Sequence, residues 1–336
     1  MKKQKARKEV NMAGYFIASF SLLFLFLAVE NPSLSWAAEK PYPTKPINMV
    51  VPYAPGGTID LGSKIVADKI GNMLGQPVVS IYKPGGGGAL GAAFVAKSKP
   101  DGYTVLAGSS TPLVLSTIVK KLDYKLDDFF PLGIFGESPV WLAVKADAKW
   151  KTLKDFVEEA RRSPGQLKVS SYGKLTTSDF VIELLSKQAR IKLNHVPYKG
   201  AAEALTAVLG GHVDAGMVMT SGGLVEAGSI RILALAGEKR LEDLPDVPTF
   251  KEFGYPIELS AWQSICVPKG TPKEIIDTLC VAQKKAFETY NREIIEGLKK
   301  MEIRAVFLNP QESLTRFQKE YELILGIAKE LGVVAQ

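Results

Sequence analysis

Four stretches of the chain concentrate the residue types that can grip a small polar solute. The first, Tyr53-Ala54-Pro55-Gly56-Gly57-Thr58-Ile59-Asp60, follows an apolar run. Tyr53 and Ala54 lead into Gly56 and Gly57, whose backbone N–H groups no Cβ obstructs. Thr58 is placed to cap a helix and to donate a hydroxyl. Asp60 can meet a cationic group, although its plainer role is to face the helix N-terminus or to orient the loop. The second stretch, Lys83-Pro84-Gly85-Gly86-Gly87-Gly88, offers a nest of donors centred on Gly87. Ser109-Ser110-Thr111 forms the third and places hydroxyls at another helix start. Ser170-Ser171-Tyr172-Gly173-Lys174-Leu175-Thr176-Thr177-Ser178 forms the fourth. Here Ser171, Tyr172, Thr176, Thr177 and Ser178 supply hydroxyls and Gly173 supplies flexibility, while Thr177 or Ser178 is the expected N-cap. Nearby, Val196-Pro197-Tyr198-Lys199-Gly200 adds an aromatic wall at Tyr198 and a carboxylate partner at Lys199.

Such a set binds and orients an anion; it does not transform one. No G-x-S-x-G elbow or H-E-x-x-H motif occurs. His195 lies on a strand and reads as a structural histidine. The chain has only two His and two Cys, so neither a metal site nor a disulfide scaffold is expected. Gly86, Gly88 and Gly91 fit G-x-G-x-x-G, but the next strand ends in Ala107-Gly108-Ser109, without the acidic residue that holds a ribose. No cofactor is expected.

The elements that must position these loops alternate. Strands are read at 47–51, 78–82, 103–107, 167–170, 193–196, 213–218 and 231–235. Helices are read at 61–74, 89–97, 153–162, 178–189 and 201–209. This alternation implies parallel sheets covered by helices, and the number of units implies two lobes. The tail differs: a strand at 262–267, a long helix after Pro272, a short strand at 303–307 and a helix from Pro310 to Leu331. It is expected to complete the first lobe, with passages between lobes near 135–144 and near Ser260. Trp262, beside the second passage, is expected either to report lobe closure or simply to pack in the core. Cys266 and Cys280 could bridge; two buried free thiols are the simpler reading.

Of the 336 residues, 46% are apolar and 23% charged, which excludes a mainly disordered chain. The amino terminus reads as a secretory leader: five basic residues by Lys8, an uncharged apolar run at 15–29, and Ser35-Trp36-Ala37 as a cleavage site. An uncleaved anchor is the alternative, although the run is shorter than the ~20 residues that span a bilayer. Losing residues 1–37 removes five basic and two acidic side chains, so the net charge falls from +7 to +4. That mild excess forms no stripe, so nucleic acid is not an expected partner. It would favour capture of an anionic solute.

Six motifs, in order, carry a resemblance. They are Tyr42-Pro43-Thr44-Lys45-Pro46-Ile47, Pro55-Gly56-Gly57-Thr58-Ile59-Asp60, Pro84-Gly85-Gly86-Gly87-Gly88, Pro100-Asp101-Gly102-Tyr103-Thr104, His195-Val196-Pro197-Tyr198-Lys199-Gly200 and Leu244-Pro245-Asp246-Val247-Pro248-Thr249. Over nearly the whole mature chain the sequence resembles the extracytoplasmic solute-binding proteins of tripartite tricarboxylate transporters, the Bug-type receptors. The resemblance implies a two-lobed periplasmic binding protein type II fold, each lobe a mixed sheet covered by helices, with a small organic acid held in the interlobe cleft. It implies a signal peptide at 1–37, a first lobe from 38–139 and 262–336, and a second lobe from 140–261. A periplasmic monomer serving integral membrane subunits is expected, with a ligand sensor or an exported α/β enzyme as alternatives. Two positions depart from the family pattern. Tyr172, Lys174 and Thr176-Thr177-Ser178-Asp179 replace a Gly/Ser-rich run that commonly ends near a His, and Lys64 stands where Arg is usual.

Overall fold

The computed structural model describes residues 42–219, 223–241 and 244–335; the expected leader, residues 1–37, lies outside them. Strand β1 (Ile47–Val51) runs parallel to β2 (Val78–Tyr82), with Ile47 opposite Val78. It also runs parallel to β3 (Thr104–Ser109), with Asn48 opposite Thr104. Parallel neighbours need a crossover, which α1 (Thr58–Leu74) and α2 (Ala89–Ala96) supply. Helix α1 stops at Gly75, whose φ of +66° is the left-handed cap position that favours glycine. A π-helical turn, Thr111–Leu115, leads into the short α3 (Ser116–Val119).

Alternation alone predicts parallel sheets, but both sheets are mixed, as the family resemblance implies. Strand β4 (Phe129–Pro139) is separated from β5 (Trp141–Lys145) by Val140 alone, which leaves no room for a crossover helix. The chain returns through β10 (Ser260–Pro268) in the opposite direction, so β4 and β10 pair antiparallel, with Ser260 opposite Pro139. Strand β11 (Arg304–Leu308) adds to β4, also antiparallel. The first sheet therefore has the order β11-β4-β10-β3-β1-β2.

The second sheet has the order β7-β6-β8-β5-β9. Its parallel part comprises β6 (Lys168–Ser171), β7 (Asn194–Pro197) and β8 (Ala215–Val218), while β5 runs antiparallel to β8 and to β9 (Ile230–Leu235). Helices α4 (Leu153–Arg162), α5 (Thr177–Ala189) and α6 (Ala201–Leu209) cover it. Thr152 and Asp155 form a reciprocal capping box at the start of α4. The helix expected after Pro272 breaks at Tyr290 into α7 (Lys273–Thr289) and α8 (Asn291–Lys299). The last helix, α9 (Pro310–Leu331), opens with Pro310 at its first position and a capping box between Asn309 and Glu312.

One apolar cluster runs through both passages and joins the sheets; it includes Leu106, Ile134, Val140, Leu142, Phe180 and Trp262. A second fills the other face of the first sheet, around Met49, Val66, Phe135 and Leu279. Trp262 is a core residue: it is fully buried and stacks on Phe317 at 4.3 Å between centroids. The two thiols are free; Cys280 is only half-buried, and burial pushes Cys266 up to about 12.

A polar network from α9 ties the two passages together. Arg316 Nη2 donates to Ser260 Oγ at 3.0 Å and lies 3.7 Å from Glu137 Oε1. Trp262 Nε1–H donates to Glu320 Oε2 at 2.7 Å. Burial pushes the Glu320 carboxyl up to about 7, because Arg316 and the Trp262 bond only partly offset the lost hydration. The folded protein therefore binds this proton more tightly than the unfolded chain, whose reference value is 4.5. Stability from this group is complete below that value and declines as pH rises towards about 7. Thermal unfolding across this window should show the midpoint falling with pH, and Glu320→Gln should flatten the fall. An unchanged slope in the variant would refute the assignment.

Candidate functional site

Two loops, one at the carboxyl end of β1 and one at the carboxyl end of β6, are built alike. In the first, Gly56 takes φ +82° and Gly57 is the N-cap of α1 with φ −77°. Thr58 is thus the first helical residue rather than the cap; no side chain caps this end. The loop is closed by Asp60 instead. Its Oδ2 accepts the Gly56 N–H at 2.8 Å, and its Oδ1 accepts from Tyr82 O–H at 3.2 Å. Lys64 Nζ sits 3.1 Å from Oδ1 and donates to Tyr82 Oη at 2.7 Å. Burial pushes Asp60 up, but the Gly56 N–H, Lys64 and Tyr82 outweigh it and hold the carboxyl below its usual range.

Tyr53 lies over the glycine-rich loop. Its hydroxyl donates to Gly87 O at 3.3 Å and lies 3.3 Å from Ser109 Oγ. Burial pushes the Tyr53 phenol up to about 12, with Ser109 pulling it back. At Gly88, with φ +93°, a Cβ would stand 3.0 Å from the Tyr53 hydroxyl oxygen, so only glycine fits there. Lys120 Nζ donates to Gly86 O at 3.1 Å. Ala54, Gly56 and Gly57 are exposed. Ser110 is buried, and its Oγ has no partner.

In the second loop the N-cap of α5 is Thr176, not Thr177 or Ser178. The Thr176 hydroxyl donates to Gly173 O at 2.8 Å and lies 3.1 Å from Ser178 Oγ. Asp179 repeats the part of Asp60: its Oδ2 accepts the N–H of Leu175, four residues earlier, at 2.7 Å. Leu175 has φ +53°. The other Asp179 oxygen, Oδ1, meets His195 Nδ1 at 3.0 Å, and His195 Nε2 lies 2.6 Å from Ser171 Oγ. Ser171 Oγ also accepts the Gly173 N–H at 3.2 Å.

The Tyr172 hydroxyl and Thr177 Oγ1 are buried at the start of α5 and make no well-formed hydrogen bond, although Thr177 and Ser178 stand close enough to Tyr172 to bond it weakly. Burial pushes the Tyr172 phenol well above its ordinary value. Thr177 and Ser178 pull it down, and the nearby Tyr53 pushes it further up. Tyr198 and Lys199 are placed differently. Tyr198 lines a shallow hollow of about 370 Å³ with Ala202, Thr206 and His212, and Lys199 is exposed with its N–H on Glu203. A larger hollow of about 520 Å³ lies beside the passages, lined by Trp141, Arg240 and Arg304 among others. Neither hollow is lined by Tyr53, Ser110 or Tyr172. Among the described residues, no cluster of His, Cys, Asp and Glu could hold a metal ion.

A family model described as the tripartite tricarboxylate transporter family receptor, TctC, matches residues 63–333. The chain belongs to that family. Members of the TctC family are periplasmic solute-binding receptors rather than enzymes. The chain is 34% identical to the UPF0065 protein in the gbd 5'region of Cupriavidus necator, covering 86% of this chain and 90% of that one. It is 29% identical to BugT of Bordetella pertussis, over 93% and 97% of the two chains. A Rhodopseudomonas palustris structure with adipate superposes at TM-score 0.77 with 28% identity, over 88% of this chain and 99% of that one. MatC of the same organism, with bound malate, gives TM-score 0.73 at 26% identity, over 85% and 99%.

The Asp179–His195 link was not legible in the sequence. The one available signal is topological: β6 and β7 are parallel neighbours, with Val169 opposite His195. The first loop invites a direct comparison. Asp60→Ala strips the acceptor from Gly56 and Tyr82 and should cost about 1–3 kcal/mol in urea unfolding. At Gly57 the nearest atom to an added Cβ is Ala54 O at 3.6 Å, so Gly57→Leu should change stability by no more than about 0.5 kcal/mol. Equal losses would contradict the division of roles.

Proposed function

We propose that this TctC-family chain is an exported receptor that captures a small carboxylate-bearing metabolite between its two lobes. In this reading it passes the acid, as a monomer, to the integral membrane subunits of a tripartite tricarboxylate-type transporter. One observation carries the reading. Ser110 Oγ, just after β3 of the first sheet, is buried without a partner, and Tyr172 Oη and Thr177 Oγ1, after β6 of the second, are buried without a well-formed hydrogen bond. Ligand oxygens would complete these groups.

The helix starts add to this. The first N–H groups of α1 and α5 have no intrahelical acceptor and carry the positive end of the helix dipole. An anion is the matching ligand, and the adipate and malate of the two neighbours are dicarboxylates. Tyr53, Ala54, Gly56, Gly57, Thr58, Gly87, Ser109 and Ser110 would form one wall. Tyr172, Gly173, Thr176, Thr177 and Ser178 would form the other, with Ser171 behind them. Asp60, closed on Gly56, would shape the first wall, and Tyr198 and Lys199 would stand at the far margin of the second. Closure would bend the passages at Val140 and Ser260, and ligand would favour the closed population because neither wall alone completes the shell.

A thermal-shift and calorimetric screen of adipate, malate, tricarboxylates, amino acids and aromatic acids tests the proposal. At least one acid should bind saturably without turnover; at a hundred times its Kd it would add about 2.7 kcal/mol of stability. Gly57→Leu should weaken that binding about ten-fold or more, an effect of about 1.4 kcal/mol. Binding of none of these acids, or turnover of one, would overturn it.

A further inference from the structure

We propose that His195 is a positioning residue for the second binding loop, holding it through Asp179 and Ser171; the proposal rests on the reading that this loop contacts ligand. The hydrogen-bond geometry fixes the roles. The Asp179 carboxylate is an acceptor only, with Leu175 N–H on one oxygen at 2.7 Å and the imidazole Nδ1 on the other at 3.0 Å. Nδ1 therefore presents a proton to Asp179, and Nε2 lies 2.6 Å from Ser171 Oγ, whose O–H is also placed to donate to Gly173 O at 3.0 Å. Ser171 Oγ in turn accepts from Gly173 N–H at 3.2 Å. An unbroken line of bonds thus spans the loop, from Leu175 to Gly173, beneath Tyr172.

The connectivity is that of a hydrolytic triad, but its direction is inward. Ser171 is fully buried, and its oxygen is already engaged by Gly173, so no substrate carbonyl reaches it. The chain of bonds ends in the loop backbone and acts as a strut. The first loop shows what the strut is for. There, too, an Asp in the first helical turn holds the N–H of a positive-φ residue four positions earlier, and a side chain from the neighbouring edge strand steadies its second oxygen. That side chain is Tyr82 in the first loop and His195 in the second. The need is greater in the second loop, because Leu175 at φ +53° carries a left-handed penalty that Gly56 avoids.

Hydrogen exchange on the full chain, read at residues 172–178, tests this together with binding of whichever acid the screen above identifies. In His195→Ala the loop amides should exchange about ten-fold faster while the sheet amides keep their protection. Affinity should fall about ten-fold or more, with the unfolding midpoint little changed. His195→Asn retains a donor for Asp179 and should restore protection at Leu175 but not at Gly173. Ser171→Ala should loosen Gly173 alone, and it gives a readout even if His195→Ala does not fold. Unchanged exchange in His195→Ala or, if that variant does not fold, in Ser171→Ala would overturn the proposal, as would equal loosening in His195→Ala and His195→Asn. If the wild-type protein bound none of the acids, the proposed function would fall, and the exchange pattern would still decide the role of His195.

Discussion

A buried hydroxyl that folding leaves without a good partner costs about 1–3 kcal/mol, and this chain places such hydroxyls on the segments that follow β3 and β6. Ser110 belongs to the segment after β3, while Tyr172 and Thr177 belong to the loop after β6. The surrounding loops could relax to satisfy these groups if they were free to move. They are not, because Asp60 and Asp179 each fold back with one carboxylate oxygen on the backbone four residues earlier and fix the other on a side chain of the neighbouring strand, Tyr82 or His195. The hydroxyls are held unsatisfied by braces that are themselves fully satisfied. That is preorganisation: the ordering cost is met in folding, so an incoming carboxylate meets donors already in place.

The antiparallel pair β4 and β10 carries both passages, so the chain crosses between sheets at one place rather than two. Arg316 and Glu320 of α9 reach Glu137, Ser260 and Trp262 around that place. In the proposed closure, bending would fall on the few residues at Val140 and Ser260, and each loop would move with its sheet.

Much of this architecture was legible in the sequence, and the exceptions have physical causes. Helices α4 and α9 were readable because each starts with a capping box and carries an apolar stripe. Strand β4 was not. Pro131, Gly133, Gly136 and Pro139 interrupt its apolar pattern, and the strand tolerates them through register shifts against β10 and β11. The loops were found by composition, which identifies donors but not which of them the fold consumes. Ser171 and Tyr172 are adjacent and look equivalent in sequence; one is tied to His195 and the other is left without a well-formed hydrogen bond. The cap positions slipped for the same reason. Gly57 and Thr176 occupy them, and the carboxylates at Asp60 and Asp179 take over the work expected of hydroxyls.

The most direct measurement is a crystal structure of the protein with a bound dicarboxylate. The account predicts ligand oxygens within about 3 Å of Ser110 Oγ, Tyr172 Oη and Thr177 Oγ1 at once, with the Gly56 and Leu175 braces unchanged. An acid seated in the hollow beside Trp141, Arg240 and Arg304, with no ligand oxygen on those three hydroxyls, would contradict it.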